Sequence, residues 1–72
     1  MSKGQISNNI RRLRFDHDEM TQKQLAEKAG VSRQTIVAIE KAKYSPSLEL
    51  AFHIAHIFGR PLQDVFSYKA AE

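Results

Sequence analysis

The sequence predicts an all-α fold, a compact domain of five short helices in which the second and third are joined by a tight glycine turn. Three observations predict it. Apolar residues recur three and four apart, the spacing that lines one face of a helix, in successive short segments. Thr21, Ser32, Ser47 and Pro61, all able to open a helix, stand just before such segments. Gly30 and Gly59 stand where two of them stop, and glycine tolerates the left-handed backbone that a helix end commonly needs.

The elements follow in order. MSKGQ supplies no core contact, so residues 1–5 are expected to form a flexible N-terminus, with order beginning near Ile6. Ser7 or Asn8 caps a first helix in which Ile10 and Leu13 face inward among Arg11, Arg12 and Arg14; it ends by His17. The connection FDHDEM carries three acids. Thr21 and Gln24 have capping-box spacing, so helix 2 starts at Gln22; Leu25 and Ala29 share a face, and Ala26 is small enough for a second helix to approach. After Gly30, Val31 dips back toward the core and Ser32 caps helix 3. Ile36 and Ile39 face inward with Val31, which leaves Arg33, Gln34, Val37 and Ala38 pointing outward.

Pro46 lacks an N–H and pushes Ser45 out of helical geometry, so KAKYSPS must turn. Ser47 then caps helix 4, Leu48 to Phe58, whose Leu50, Ala51, Ile54, Ala55 and Phe58 form a wall for the two preceding helices. Pro61 opens a last short helix, PLQDVF, as its N1 residue. The tail FSYK alternates apolar and polar residues, which allows a short strand and a two-stranded sheet joining the N- and C-terminal segments. The domain is therefore expected over residues 6–68, with the paired helices at 22–41 and a tail at 69–72.

A chain of 72 residues fits one domain. It buries only about 60% of its unfolded surface, so its stability margin is thin. With no cysteine, disulfides and thiolate zinc sites are excluded, leaving a partner subunit as the available brace. No apolar run approaches the ~20 residues of a membrane span, and MSKGQ lacks the apolar region of a signal peptide; a cytoplasmic protein is expected. There is no phosphate loop and no His/acid constellation, so neither an enzyme nor a cofactor is expected. The charge is uneven: residues 1–43 hold nine of the eleven Lys and Arg and five of the eight acids, and the remainder is slightly acidic. A basic half is what a phosphate-facing surface requires, although a merely solvated lysine-rich face reads the same way.

QKQLAEKAGVSRQTIVAIEK, together with the flanks NNIRRLR, IEKAKYSPSLELAFHIAHIFG and PLQDVF, resembles the helix-turn-helix of the Cro/repressor (XRE) family of transcription regulators over roughly residues 6 to 68. The resemblance implies a lambda-repressor-like DNA-binding domain, with helices 2 and 3 as the helix-turn-helix and helix 3 in the major groove. It also implies that Gln22 bonds a DNA phosphate at the start of helix 2 and braces Gln34, and that the C-terminal part carries a homodimer contact. In such a docking Arg33 can pair with guanine O6 and N7, Gln34 with adenine N6 and N7, and Val37 with a thymine methyl, while Ala38 leaves room for the groove wall. Thr35, Lys41, Lys43, Tyr44 and Ser45 are candidates for the backbone, and Arg12 and Lys23 are further cations able to reach it. Glu40 runs against this trend, and Arg14 is its expected holder.

Apolar residues are left over. Phe52, Ile57, Phe66 and Tyr68 are the candidate dimer contacts, and each could instead complete the small core. His53 and His56 are helical neighbours but lack a third ligand, so no metal is expected. The function expected is a homodimeric repressor on an inverted-repeat operator, located with the DNA of the nucleoid. An antitoxin-like interaction module set by a partner protein is the alternative on the same fold.

Overall fold

A computed structural model describes residues 4–70 as a helical domain with a small clasp of sheet. The order is β1 (Gln5–Asn8), α1 (Ile10–Asp16), α2 (Gln22–Ala29), α3 (Arg33–Glu40), α4 (Leu48–Phe58), α5 (Leu62–Val65) and β2 (Phe66–Lys69). Each helix delivers an essentially inaccessible aliphatic side chain to one core: Ile10, Leu25, Ile36 with Ile39, Ile54 and Val65. At about 1.5 to 3 kcal/mol for each such burial, these six anchors supply much of the force that holds the helices together. Ala26, Ala51 and Ala55 are buried beside them, where small side chains let backbones approach.

Helix ends follow the residues that code for them. Thr21, Ser32 and Ser47 each accept a backbone N–H three residues on, from Gln24, Thr35 and Leu50 respectively. The Thr21 N–H is returned to Gln24 Oε1 at 2.9 Å, completing the capping box. Gly30 and Gly59 are left-handed at φ +75° and +64°. The next N–H in each case reaches five residues back, Val31 to the Ala26 carbonyl and Arg60 to the Ala55 carbonyl, both at 3.0 Å.

Strand β1 pairs antiparallel with β2, with Gln5 opposite Lys69, Ile6 opposite Tyr68, Ser7 opposite Ser67 and Asn8 opposite Phe66. This corrects several boundaries. Gln5 and Lys69 both lie in strands, so the ordered unit is wider at each end than residues 6–68; residues 1–3 of the expected flexible segment and 71–72 of the tail lie outside the described residues. Ser7 does not cap α1, because its hydroxyl bonds that of Ser67 at 2.6 Å. Asn9 occupies the cap position without a side-chain capping bond, its Nδ2 donating instead to the Asp64 carbonyl at 3.2 Å, while Asn8 Oδ1 accepts the Ile10 N–H from within the strand. Pro61 is the N-cap of α5 in extended geometry, not its first residue, and Phe66 leaves the helix to begin β2. The α5 segment is thus a single turn, closed off by pairing with β1.

Among the described residues three non-glycine residues are left-handed: Asp18 and Glu19 in the α1–α2 connection, at φ +55° and +53°, and Ala42 after α3, at φ +59°. His17 presents its ring edge-on to Phe58 at 5.4 Å, which seats that connection against the end of α4.

Candidate nucleic-acid interface

The capping box at Thr21 and the Gly30 turn fix where α2 starts and how the chain crosses into α3, so α3 is presented as a short rod over the core. Its inward row is Ile36 and Ile39, both inaccessible. On its other side Arg33 and Gln34 are exposed at the first turn, and Val37 and Ala38 are half-buried further along. Polar groups able to form bidentate base contacts therefore lie at the N-terminal end of the helix, with small apolar groups behind them. Thr35 is half-buried, and its hydroxyl lies 3.0 Å from that of Ser32, which engages it in the helix cap.

Beside this face runs a cleft of about 360 Å³ lined by Arg11, Arg14, Gln22, Val37, Glu40 and Lys41. At its floor the Glu40 carboxylate accepts from Arg14 Nε at 2.7 Å and Nη2 at 3.2 Å, a two-pronged pair whose side chains are only 9% and 15% exposed. Arg14 Nη1 also donates to the Met20 carbonyl at 2.8 Å. Arg14 is thus the holder of Glu40, tying α1 to the end of α3, and the one carboxylate of the cleft is neutralised in place. Gln22 Nε2 donates to Glu40 Oε1 at 3.3 Å. The expected brace from Gln22 to Gln34 is therefore replaced by one from Gln22 to Glu40, the stronger acceptor within reach.

Lys41, Lys43, Tyr44 and Ser45 are all exposed along the segment that leaves α3. Their path is set by Ala42, whose N–H returns to the Ile39 carbonyl while that of Lys43 reaches the Ala38 carbonyl, both at 2.9 Å. Arg12 falls elsewhere: it faces a different cleft, with Asp16, Arg60 and Asp64. Lys23 is exposed on α2. The signal in the sequence that separates Arg11 from the neighbouring Arg12 is its three-residue spacing from Arg14, which places those two side by side on α1.

The four candidate dimer residues do not share one surface. Phe52 and Tyr68 are exposed, at 55% and 67%, whereas Ile57 and Phe66 are half-buried against the core. Five residues apart on α4, Phe52 and Ile57 point about 140° from each other. Tyr68 instead joins its cross-strand neighbour Ile6, together with Leu62 and Phe66, along one apolar groove, and its ring lies over Gly4, where a Cβ would have to push the ring aside. Among the described residues no His, Cys, Asp or Glu cluster can hold a metal, and no helix is long and apolar enough to cross a membrane.

Two short helices locked at a glycine turn, the second exposing Arg33 and Gln34 with lysines on the segment that leaves it, define the helix-turn-helix class of DNA-binding protein. Sequence comparison narrows the class: the chain belongs to the Helix-turn-helix family HTH_3, of XRE type, whose model matches residues 10–65. It is 52% identical over 67 residues to the uncharacterized HTH-type transcriptional regulator MJ0272 of Methanocaldococcus jannaschii, covering 93% of this chain and 100% of that one. It is 36% identical over 62 residues to the cryptic phage CTXphi transcriptional repressor RstR of Vibrio cholerae, covering 86% of this chain and 55% of that one. The fold is similar to that of the transcriptional regulator VanUg, with a TM-score of 0.78 and 24% identity, over 99% of this chain and 93% of that one. The protein is accordingly a DNA-binding transcriptional regulator and not an enzyme.

Proposed function

We propose that the protein is a homodimeric repressor that lays α3 of each copy into the major groove of an inverted-repeat operator. The observation that carries this reading is the placement of Arg33 and Gln34, exposed at the leading end of α3, beside a cleft whose carboxylate is already neutralised by Arg14. In this reading Arg33, Gln34, Val37 and Ala38 meet base edges, while Gln22, Lys41, Lys43, Tyr44 and Ser45 hold the backbone on either side. Thr35 is a further backbone contact, its hydroxyl oriented by that of Ser32. The similarity to a phage repressor supports the repressor role.

A second copy satisfies a physical need. The groove of Ile6, Leu62, Phe66 and Tyr68 exposes apolar surface that a domain this small gains by covering. With a two-fold axis relating the copies, the two recognition helices would meet half-sites about 34 to 36 Å apart. Such a protein works in the cytoplasm, on the DNA of the nucleoid.

The test is selection of bound duplexes from a random library at near-physiological salt, followed by transcription from a promoter overlapping the enriched site. An enriched inverted repeat with reduced transcription is expected. Enrichment of single half-sites would remove the dimer, and raised transcription would remove the repressor role.

A further inference from the structure

We propose that Arg11, with Lys41, clamps one DNA backbone phosphate in the cleft between α1, the start of α2 and the end of α3. The proposal rests on the DNA-reading function above and adds a residue and a place to it.

Four observations carry it. The cleft is bordered by Val37, a residue of the outward face of α3, so a duplex read by that face brings its flanking backbone to the cleft mouth. Of the cations lining it, Arg14 is committed to Glu40, whose Oε1 also accepts from Gln22 Nε2. Arg11 and Lys41 are different: both are exposed, and among the described residues the ion pairs are Arg14–Glu40 and Arg60–Asp64, which leaves these two without a carboxylate partner. Finally, the adjacent arginine provides an internal contrast. Arg12 lines a cleft with Arg60, Asp16 and Asp64, where two cations face two carboxylates, whereas in this cleft Arg11, Arg14 and Lys41 face Glu40 alone; Glu19 lies on the other side of Arg11 and forms no ion pair with it among the described residues.

An anion entering this cleft meets two exposed cations outside any ion pair among the described residues, so binding releases counterions from the DNA without breaking an existing ion pair. Each phosphate neutralised in duplex DNA contributes a slope of about −0.9 to the dependence of log affinity on log salt. Loss of the Arg11 charge therefore removes close to one such contact, about eightfold in affinity at 0.1 M salt, and does so equally for every sequence.

The experiment is fluorescence-anisotropy titration of the full chain with the selected operator and with a scrambled duplex, from about 0.05 to 0.2 M salt. Arg11→Gln is expected to make the slope shallower by about 0.9 on both duplexes, with the operator preference and melting temperature unchanged. Arg11→Lys restores the slope, and Arg12→Gln keeps that of the wild type. An unchanged slope in Arg11→Gln overturns the proposal, as does an equal loss in Arg12→Gln, which would reveal a simple effect of net charge. Should the wild type bind neither duplex, the DNA-reading function falls and Arg11 with it; a binding wild type with an indifferent Arg11→Gln removes Arg11 alone.

Discussion

Arg14 and Glu40, 26 residues apart, meet through two N–H···O contacts of 2.7 and 3.2 Å and so join the first helix to the end of the third. Both side chains are largely withdrawn from water. Removing one partner strands the other, and breaking such a pair costs about 3 to 5 kcal/mol. Glu40→Ala is expected to lose about 3 kcal/mol, the low end because solvent still touches both groups, and to lower the melting temperature by at least about 10 °C in a domain of this size. Thermal denaturation checks the loss, and duplex selection with the mutant should return the same operator. A mutant that melts normally but reads a different sequence would contradict the structural role.

Ala42 occupies the left-handed position that glycine fills after α2 and α4. A Cβ there costs roughly 1 kcal/mol, partly recovered because alanine has less freedom to lose on folding. Ala42→Gly is therefore expected to be neutral to about 1 kcal/mol stabilising, against the usual penalty for adding glycine. Urea denaturation provides the measurement; a loss above about 1 kcal/mol would show that the left-handed turn is not kept in solution.

Val37 yields the most specific prediction about the operator, since the contact proposed for it is with a thymine methyl group. Replacing the contacted thymine with uracil is expected to weaken wild-type binding by about 1 kcal/mol, near the value of one buried methyl, and to leave Val37→Ala binding almost unaffected. Affinity measured for both proteins on both duplexes forms a double cycle. Equal losses in the two proteins would place the methyl against another residue.

Tyr68 and Phe52 lie on separate surfaces, so substitution can separate them as dimer contacts. Tyr68→Ser is expected to weaken self-association at least tenfold, while Phe52→Ser leaves it close to the wild type. Sedimentation equilibrium distinguishes them, and the reverse pattern would move the interface to the outer edge of α4.

The helix-turn-helix was legible because its instructions are local: Thr21 and Gln24, Gly30, and Ser32 each act within one turn of chain. The same holds for Ser47 and Gly59 around α4. What escaped was set at a distance or by competition. The sheet joining the two ends was legible in the alternation of FSYK, but its extent was not: QISN carries no strand period of its own, and Gln5 and Lys69 enter the pairing only because the fold brings together segments more than fifty residues apart. Phe66 belongs by sequence to both PLQDVF and FSYK, and only pairing with Asn8 decides for the strand. Gln22 bonds Glu40 and not Gln34 because the fold places a carboxylate nearer, which no spacing within α2 and α3 reveals.

The sheet also behaves as a clasp on the recognition helix. Asn8, the last residue of β1, donates from Nδ2 to the Ile39 carbonyl at 2.8 Å, in the final turn of α3, while its neighbour Asn9 bonds through its backbone N–H to Val65. The two ends of the described chain are thereby fastened to each other and to the helix that faces DNA. Trimming either strand would loosen the rear mounting of that helix without touching a single residue of its reading face, so a terminal tag or truncation can blunt operator recognition from the opposite side of the molecule.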